Sequence, residues 1–123
     1  MRRLRHPDRI GLHLRVVLAR EVVIGPGRAD LLEAIRDHGS ISAAGRALGM
    51  SYKRAWDLIE AMNGGFPHPL VTTSTGGAAG GGSRLTEHGE ATLAAYRTIE
   101  ERAAQAATVE LRELAKLLGI ADA

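Results

Sequence analysis

The sequence predicts a small α+β domain, and three observations predict it. Residues 40–63, SISAAGRALGMSYKRAWDLIEAMN, read as two short helices hinged at Gly49. Residues 70–86 read as two short strands on either side of a glycine-rich tip, GGAAGGGS. Residues 87–118 keep helical spacing almost without interruption. A chain of 123 residues fits one domain with a modest core. Aromatics make up only 3% of it, so Leu, Ile, Val and Ala must fill that core.

Residues 1–11 form a basic arm, MRRLRHPDRIG. From there Leu12, Leu14, Val16 and Leu18 alternate with other residues, the pattern of a half-buried strand, and residues 22–24 supply its short partner. Pro26 suits the first turn of a helix, where its missing N–H costs nothing. Leu31, Leu32 and Ile35 then share one face, and Gly39 is a natural C-terminal cap. Ser40 or Ser42 caps the next helix, which buries Ala44 and Leu48. Gly49 permits the left-handed turn that follows. Ser51 caps the third helix, whose stripe is Ala55, Leu58, Ile59 and Met62. Lys53, Asp57 and Glu60 lie opposite that stripe, and Tyr52, Trp56 and Asn63 run along one flank.

Residues 70–75 are rich in β-branched side chains and predict a strand. Residues 76–83 predict an irregular hairpin tip, and residues 84–86 a short returning strand. Thr86 caps a long helix, with Glu87 and Glu90 at its positive end. Leu93, Tyr96, Ile99 and Ala103 form one seam. Ala107, Leu111, Leu114 and Leu118 form a second, offset seam, which predicts a bend near Thr108. The expected organisation is an arm (1–11), a domain (12–86) and a helical region for pairing subunits (87–123).

Several function classes drop out. With no Cys there are no disulfides, thiolate metal sites or Cys nucleophiles, and a reducing compartment fits. No apolar run approaches the roughly 20 residues of a membrane span. A cytoplasmic protein without membrane contact is expected. Histidines 6, 13, 38, 68 and 88 lack HxxxH or HExxH spacing, so no metal and no cofactor is expected. No Ser or Thr has a visible base-and-orienter set, so no enzyme is expected. The glycines are followed by no Lys, unlike a nucleotide phosphate loop.

What remains is an anionic partner. Residues 1–86 carry 12 basic and 7 acidic side chains, whereas residues 87–123 carry 4 and 7. A short helix, a glycine turn and a helix with a polar start and an apolar stripe follow the helix-turn-helix pattern. A recognition helix must offer its first turns to base edges while its later face packs on the domain. Lys53 and Arg54 can reach phosphates and guanine acceptors, and Ser51 and Tyr52 can hydrogen-bond either. Trp56 is open to two readings, a core or dimer residue or a groove-edge contact. The following hairpin makes the predicted architecture a winged helix-turn-helix with a β-hairpin wing and a long C-terminal helix. Glycines in the wing let main-chain amides approach phosphates closely.

SYKRAWD followed by STGGAAGGGSRLT resembles the N-terminal DNA-binding domain of the ModE-type molybdenum-responsive regulators. It is more distantly similar to the LysR-type regulators. The resemblance covers about residues 12–104. It implies a homodimer that binds double-stranded DNA in a sequence-specific way and regulates transcription. Ser51, Tyr52, Lys53 and Arg54 match the start of the recognition helix. Gly76, Gly77, Gly80, Gly81 and Gly82 match the wing, with Arg84 and Trp56 beside these sets. Two departures stand out. The pattern usually has Ala where this chain has Gly45, which weakens that helix by up to about 1 kcal/mol. The chain also ends before the family's C-terminal oxyanion domain would begin. No molybdate-binding residue carries over, and molybdate binding is not expected of this chain alone. The alternative function is a protein–protein interaction module that keeps the fold without specific DNA binding.

Overall fold

Three side-chain caps and two glycine turns set the helical frame. Ser40 Oγ accepts from the Ala43 N–H (3.0 Å), Ser51 Oγ from the Arg54 N–H (3.1 Å), and Thr86 Oγ1 from the Gly89 N–H (3.0 Å). Each satisfies one of the orphan donors of a helix start. Ser42 does not cap. Its hydroxyl accepts from Arg46 instead, at 2.8 Å. Gly39 and Gly49 take φ values of 77° and 70°, the left-handed region that closes a helix.

The computed structural model of the chain describes residues 11–20, 22–74 and 82–120. Over these the order is β1 (Val16–Ala19), β2 (Val22–Ile24), α1 (Pro26–His38), α2 (Ile41–Leu48), α3 (Tyr52–Gly65), β3 (Val71–Ser74), β4 (Gly82–Leu85), α4 (Glu87–Ala106) and α5 (Thr108–Leu117). β1 pairs antiparallel with β2, and β3 with β4, in two separate hairpins. The fold is the α+β, winged helix-turn-helix arrangement that the sequence predicts. Of the expected arm (1–11), residues 1–10 lie outside the described residues.

One core joins α1, α2, α3, the wing hairpin and α4. Leu31, Leu32 and Ile35 of α1 meet Ile41 and Ala44 of α2 and Ala55, Ile59 and Met62 of α3. Leu70, Val71 and Leu85 bring in the wing hairpin, and Leu93 and Tyr96 bring in α4. Of the predicted α3 stripe, Leu58 is only partly buried.

The predicted strand over 12–18 forms only from Val16. Its first residues are spent otherwise, because the Leu14 carbonyl accepts a hydrogen bond from the Tyr96 hydroxyl. That bond ties the N-terminal hairpin to α4. The predicted bend falls at Ala107, between α4 and α5, where the Thr108 hydroxyl turns back to the Ala104 and Gln105 carbonyls (3.2 and 2.9 Å). The first seam is not buried throughout. Leu93 and Tyr96 are in the core, but Ile99 is 44% exposed.

Gly45 has a reason that helix propensity hides. A Cβ there would sit 3.1 Å from the Met50 carbonyl oxygen and 3.7 Å from the Ala55 Cβ. The small residue lets α2 lie close to the turn and to α3, which offsets its weaker propensity.

Arg97 locks α4 to α1. Its guanidinium bonds Asp30 and Glu100 at 2.8 Å each and Glu33 at 3.2 Å. Burial by itself lowers the Arg97 pKa, but hydrogen bonds to Glu100 and Asp30, and their charges, outweigh it and hold the group above its ordinary value. Asp30 is only 5% exposed, and the Arg97 guanidinium offsets part of the cost of burying its charge. Arg97→Met is expected to lower stability by about 2 kcal/mol by removing the cation that Asp30, Glu33 and Glu100 share, as a urea melt at neutral pH would measure.

Candidate nucleic-acid interface

α3 divides its surface as a recognition helix must. Ala55, Ile59 and Met62 are buried, whereas Ser51, Tyr52, Lys53, Arg54 and Trp56 are all exposed. The Ser51 cap satisfies the Arg54 N–H, and the first turn of α3 buries only Ala55 while Tyr52, Lys53 and Arg54 stay exposed. Lys53 Nζ lies 3.0 Å from Asp57 Oδ2, one turn along, with both side chains more than half exposed. A pair this exposed is worth about 0.3–0.5 kcal/mol, so it restrains Lys53 without committing it. Tyr52 and Trp56 stack one turn apart, with ring centroids 6.4 Å apart and planes 21° apart. Trp56 is thus placed outside the core.

Beside Arg54 a broad open groove of about 1240 Å³ runs between α3 and the start of α1. Arg15 and Arg28 also line it, as do the acidic Asp30 and Glu60. No residue of β3 or β4 lines it.

The wing is held by residues that the sequence reading did not single out for the site. Asn63, near the end of α3, accepts from the Leu70 and Val71 N–H groups (2.8 and 3.2 Å) and donates to the Val71 carbonyl (3.0 Å). This side chain sets where β3 leaves α3. On the other side Thr86 donates to the Pro69 carbonyl (2.7 Å), and its N–H donates to the Leu70 carbonyl (2.9 Å). His68 stacks on His88 at 4.2 Å beside this joint. An Asn before a Pro-rich loop was the available signal, but its partners lie seven and eight residues on.

Arg84 is exposed on β4, opposite Thr72. Gly82 is not part of an irregular tip. It pairs with Ser74 inside the ladder, and its Cα lies close under the Gly39 carbonyl, where a Cβ would be 3.3 Å away. The neighbouring Ser83 N–H donates to that same carbonyl at 2.9 Å. β4 therefore begins two residues before Arg84, because the small Gly82 lets the strand pass over the end of α1. Gly76, Gly77, Gly80 and Gly81 lie outside the described residues.

Among the described residues no group of three or more His, Asp or Glu side chains converges as a metal site. No described helix is long and apolar enough to cross a membrane.

The helix-turn-helix and the wing together match a known pattern. Residues 28–90 match the bacterial regulatory helix-turn-helix proteins of the lysR family. Over 77 residues the chain is 53% identical to the molybdenum-pterin-binding protein MopB of Rhodobacter capsulatus, covering 63% of this chain and 28% of that one. It is 42% identical over 87 residues to the transcriptional regulator ModE of Haemophilus influenzae, covering 71% and 34%. It is 41% identical over 83 residues to the DNA-binding transcriptional dual regulator ModE of Escherichia coli K12, covering 68% and 32%. The chain spans about a third or less of the length of these relatives. With the family pattern running from α1 through the capped recognition helix and the wing into the first turn of α4, the chain belongs to the lysR family of bacterial regulatory helix-turn-helix proteins.

Proposed function

We propose that this chain binds double-stranded DNA as a sequence-specific transcriptional regulator and does so as a homodimer. The observation that carries the reading is α3, which is buried along one stripe and exposes Tyr52, Lys53, Arg54 and Trp56 around a capped first turn. An exposed basic first turn beside a hairpin is what insertion into a major groove requires, with the wing and Arg84 along the flanking phosphates. The relatives named as DNA-binding or transcriptional regulators support the same reading. Gel shifts against genomic fragments test it. Retarded bands that respond to competitor sequence support specific binding. Absence of any band, with a protein partner captured through α3 instead, would favour the interaction-module alternative.

Pairing is supported by apolar surface at the C-terminal end. Ile99, Val109, Leu114, Leu117 and Leu118 are each between 44% and 83% exposed. A two-fold partner would cover them and match a site with half-sites about 34 Å apart. Wild-type protein is expected to sediment as a dimer at micromolar concentration. Leu114→Asp with Leu118→Asp is expected to sediment as a monomer with unchanged helix content.

Oxyanion capture needs converging donors in a closed pocket. The groove beside Arg54 is open and carries Asp30 and Glu60 among its arginines. Calorimetric titration of this chain with molybdate is expected to give no saturable heat. A stoichiometric heat at micromolar molybdate would overturn that expectation.

A further inference from the structure

We infer that the stacked pair Tyr52 and Trp56 reads thymine methyl groups, so that the preferred half-site carries two thymines about two base steps apart. The inference rests on the DNA-binding reading and gives it a base chemistry. The chain holds one Trp, two Tyr and one Phe. Tyr96 is a core residue and Phe66 packs against the core. The remaining two aromatics lie together on the outer face of α3, 56% and 38% exposed. The fold itself gains little from them there, and large exposed apolar neighbours mark a contact surface.

The chemistry of the groove selects the contact. Base faces are hidden by stacking in a duplex, so a ring entering the major groove meets only edges. Those edges offer hydrogen-bonding atoms everywhere except at the C5 methyl of thymine, which is the one large apolar group among them. Two rings therefore find apolar partners only at thymines. Their centroids are 6.4 Å apart, close to two steps of about 3.4 Å along one strand. Lys53, between them in sequence, is left for a guanine or a phosphate.

Deoxyuridine differs from thymidine by that methyl alone and isolates it. A binding duplex is first selected from a random-sequence library with the wild-type chain, then remade with deoxyuridine in place of each thymine. Wild-type protein is expected to lose about fourfold in affinity per contacted methyl, and about fifteenfold for two, from the burial of one methyl-sized group each. Trp56→Ala and Tyr52→Ala are expected to bind the thymine duplex more weakly, and their double variant to bind both duplexes equally. Lys53→Ala is expected to weaken both duplexes alike and keep the wild-type ratio. Melting curves of the variants confirm that they are folded. Salt-dependent wild-type binding with equal affinity for the two duplexes overturns the methyl reading alone. So does a thymine-to-uracil ratio that survives in the double variant. Failure to bind any duplex overturns the DNA-binding reading as well.

Discussion

The double variant Lys53→Ala/Arg54→Ala is expected to bind duplex DNA at least about thirtyfold more weakly than the wild type, and to melt at nearly the same temperature. Each side chain is expected to contribute about 1–3 kcal/mol if it contacts a base edge. Every 1.4 kcal/mol is about tenfold in affinity. Stability is spared because neither side chain is in the core. Lys53 gives up only its exposed contact with Asp57, worth about 0.3–0.5 kcal/mol. The single variants separate two roles. Arg54, which borders the open groove, is expected to lower the salt dependence by about one phosphate contact. Lys53 is expected to change the preferred base. A folded double variant with undiminished affinity would remove α3 from the interface.

Gly89→Ala is expected to destabilise the domain by about 3 kcal/mol, or to prevent folding, at a position with no contact to the exposed face of α3. A Cβ on Gly89 would lie 2.1 Å from the Leu70 carbonyl oxygen and 3.0 Å from its carbon. The obstacle is backbone, so no rotamer relieves it. The Leu70 carbonyl is also committed, since it accepts from the Thr86 N–H at 2.9 Å. The first turn of α4 must move away from the start of β3, which costs what overpacking of a tight core costs, about 1–3 kcal/mol and occasionally more. A urea melt reads the loss. Stability within about 0.5 kcal/mol of wild type, the usual range for a surface substitution, would show that this joint is loose.

Much of this fold is legible because its signals are local. Ser51 and Thr86 cap the helices predicted to follow them, and Gly39 and Gly49 end the helices that precede them. The offset between the Leu93–Tyr96 seam and the Leu111–Leu114 seam located the break within one residue. The exposed start of α3 was legible for the same reason, as a cap, a basic turn and a stripe within twelve residues.

Long-range contacts were not legible. Arg97 reads as one charge on a solvated face, and only the fold brings Asp30 and Glu33 to it from more than sixty residues away. Gly82 reads as one more glycine of a tip, yet it is the residue that lets β4 cross the end of α1. Gly89 gives no periodic signal, because its constraint is a backbone approach rather than a face. Asn63 reads as a flank residue, although its amide holds the start of the wing. In each case the cause is a partner distant in sequence, or the lack of a side chain, and hydrophobic periodicity encodes neither.

The central claim is that the exposed face of α3 neutralises DNA phosphates as it reads the groove. Salt dependence tests it most directly, by fluorescence anisotropy of a labelled duplex from low to physiological salt. Neutralised phosphates release counterions, so the logarithm of the association constant is expected to fall linearly with the logarithm of salt concentration. The slope is expected to be about −0.9 per phosphate contacted, and shallower for Arg54→Ala. A flat dependence, or a slope that the α3 substitutions leave unchanged, would contradict the claim.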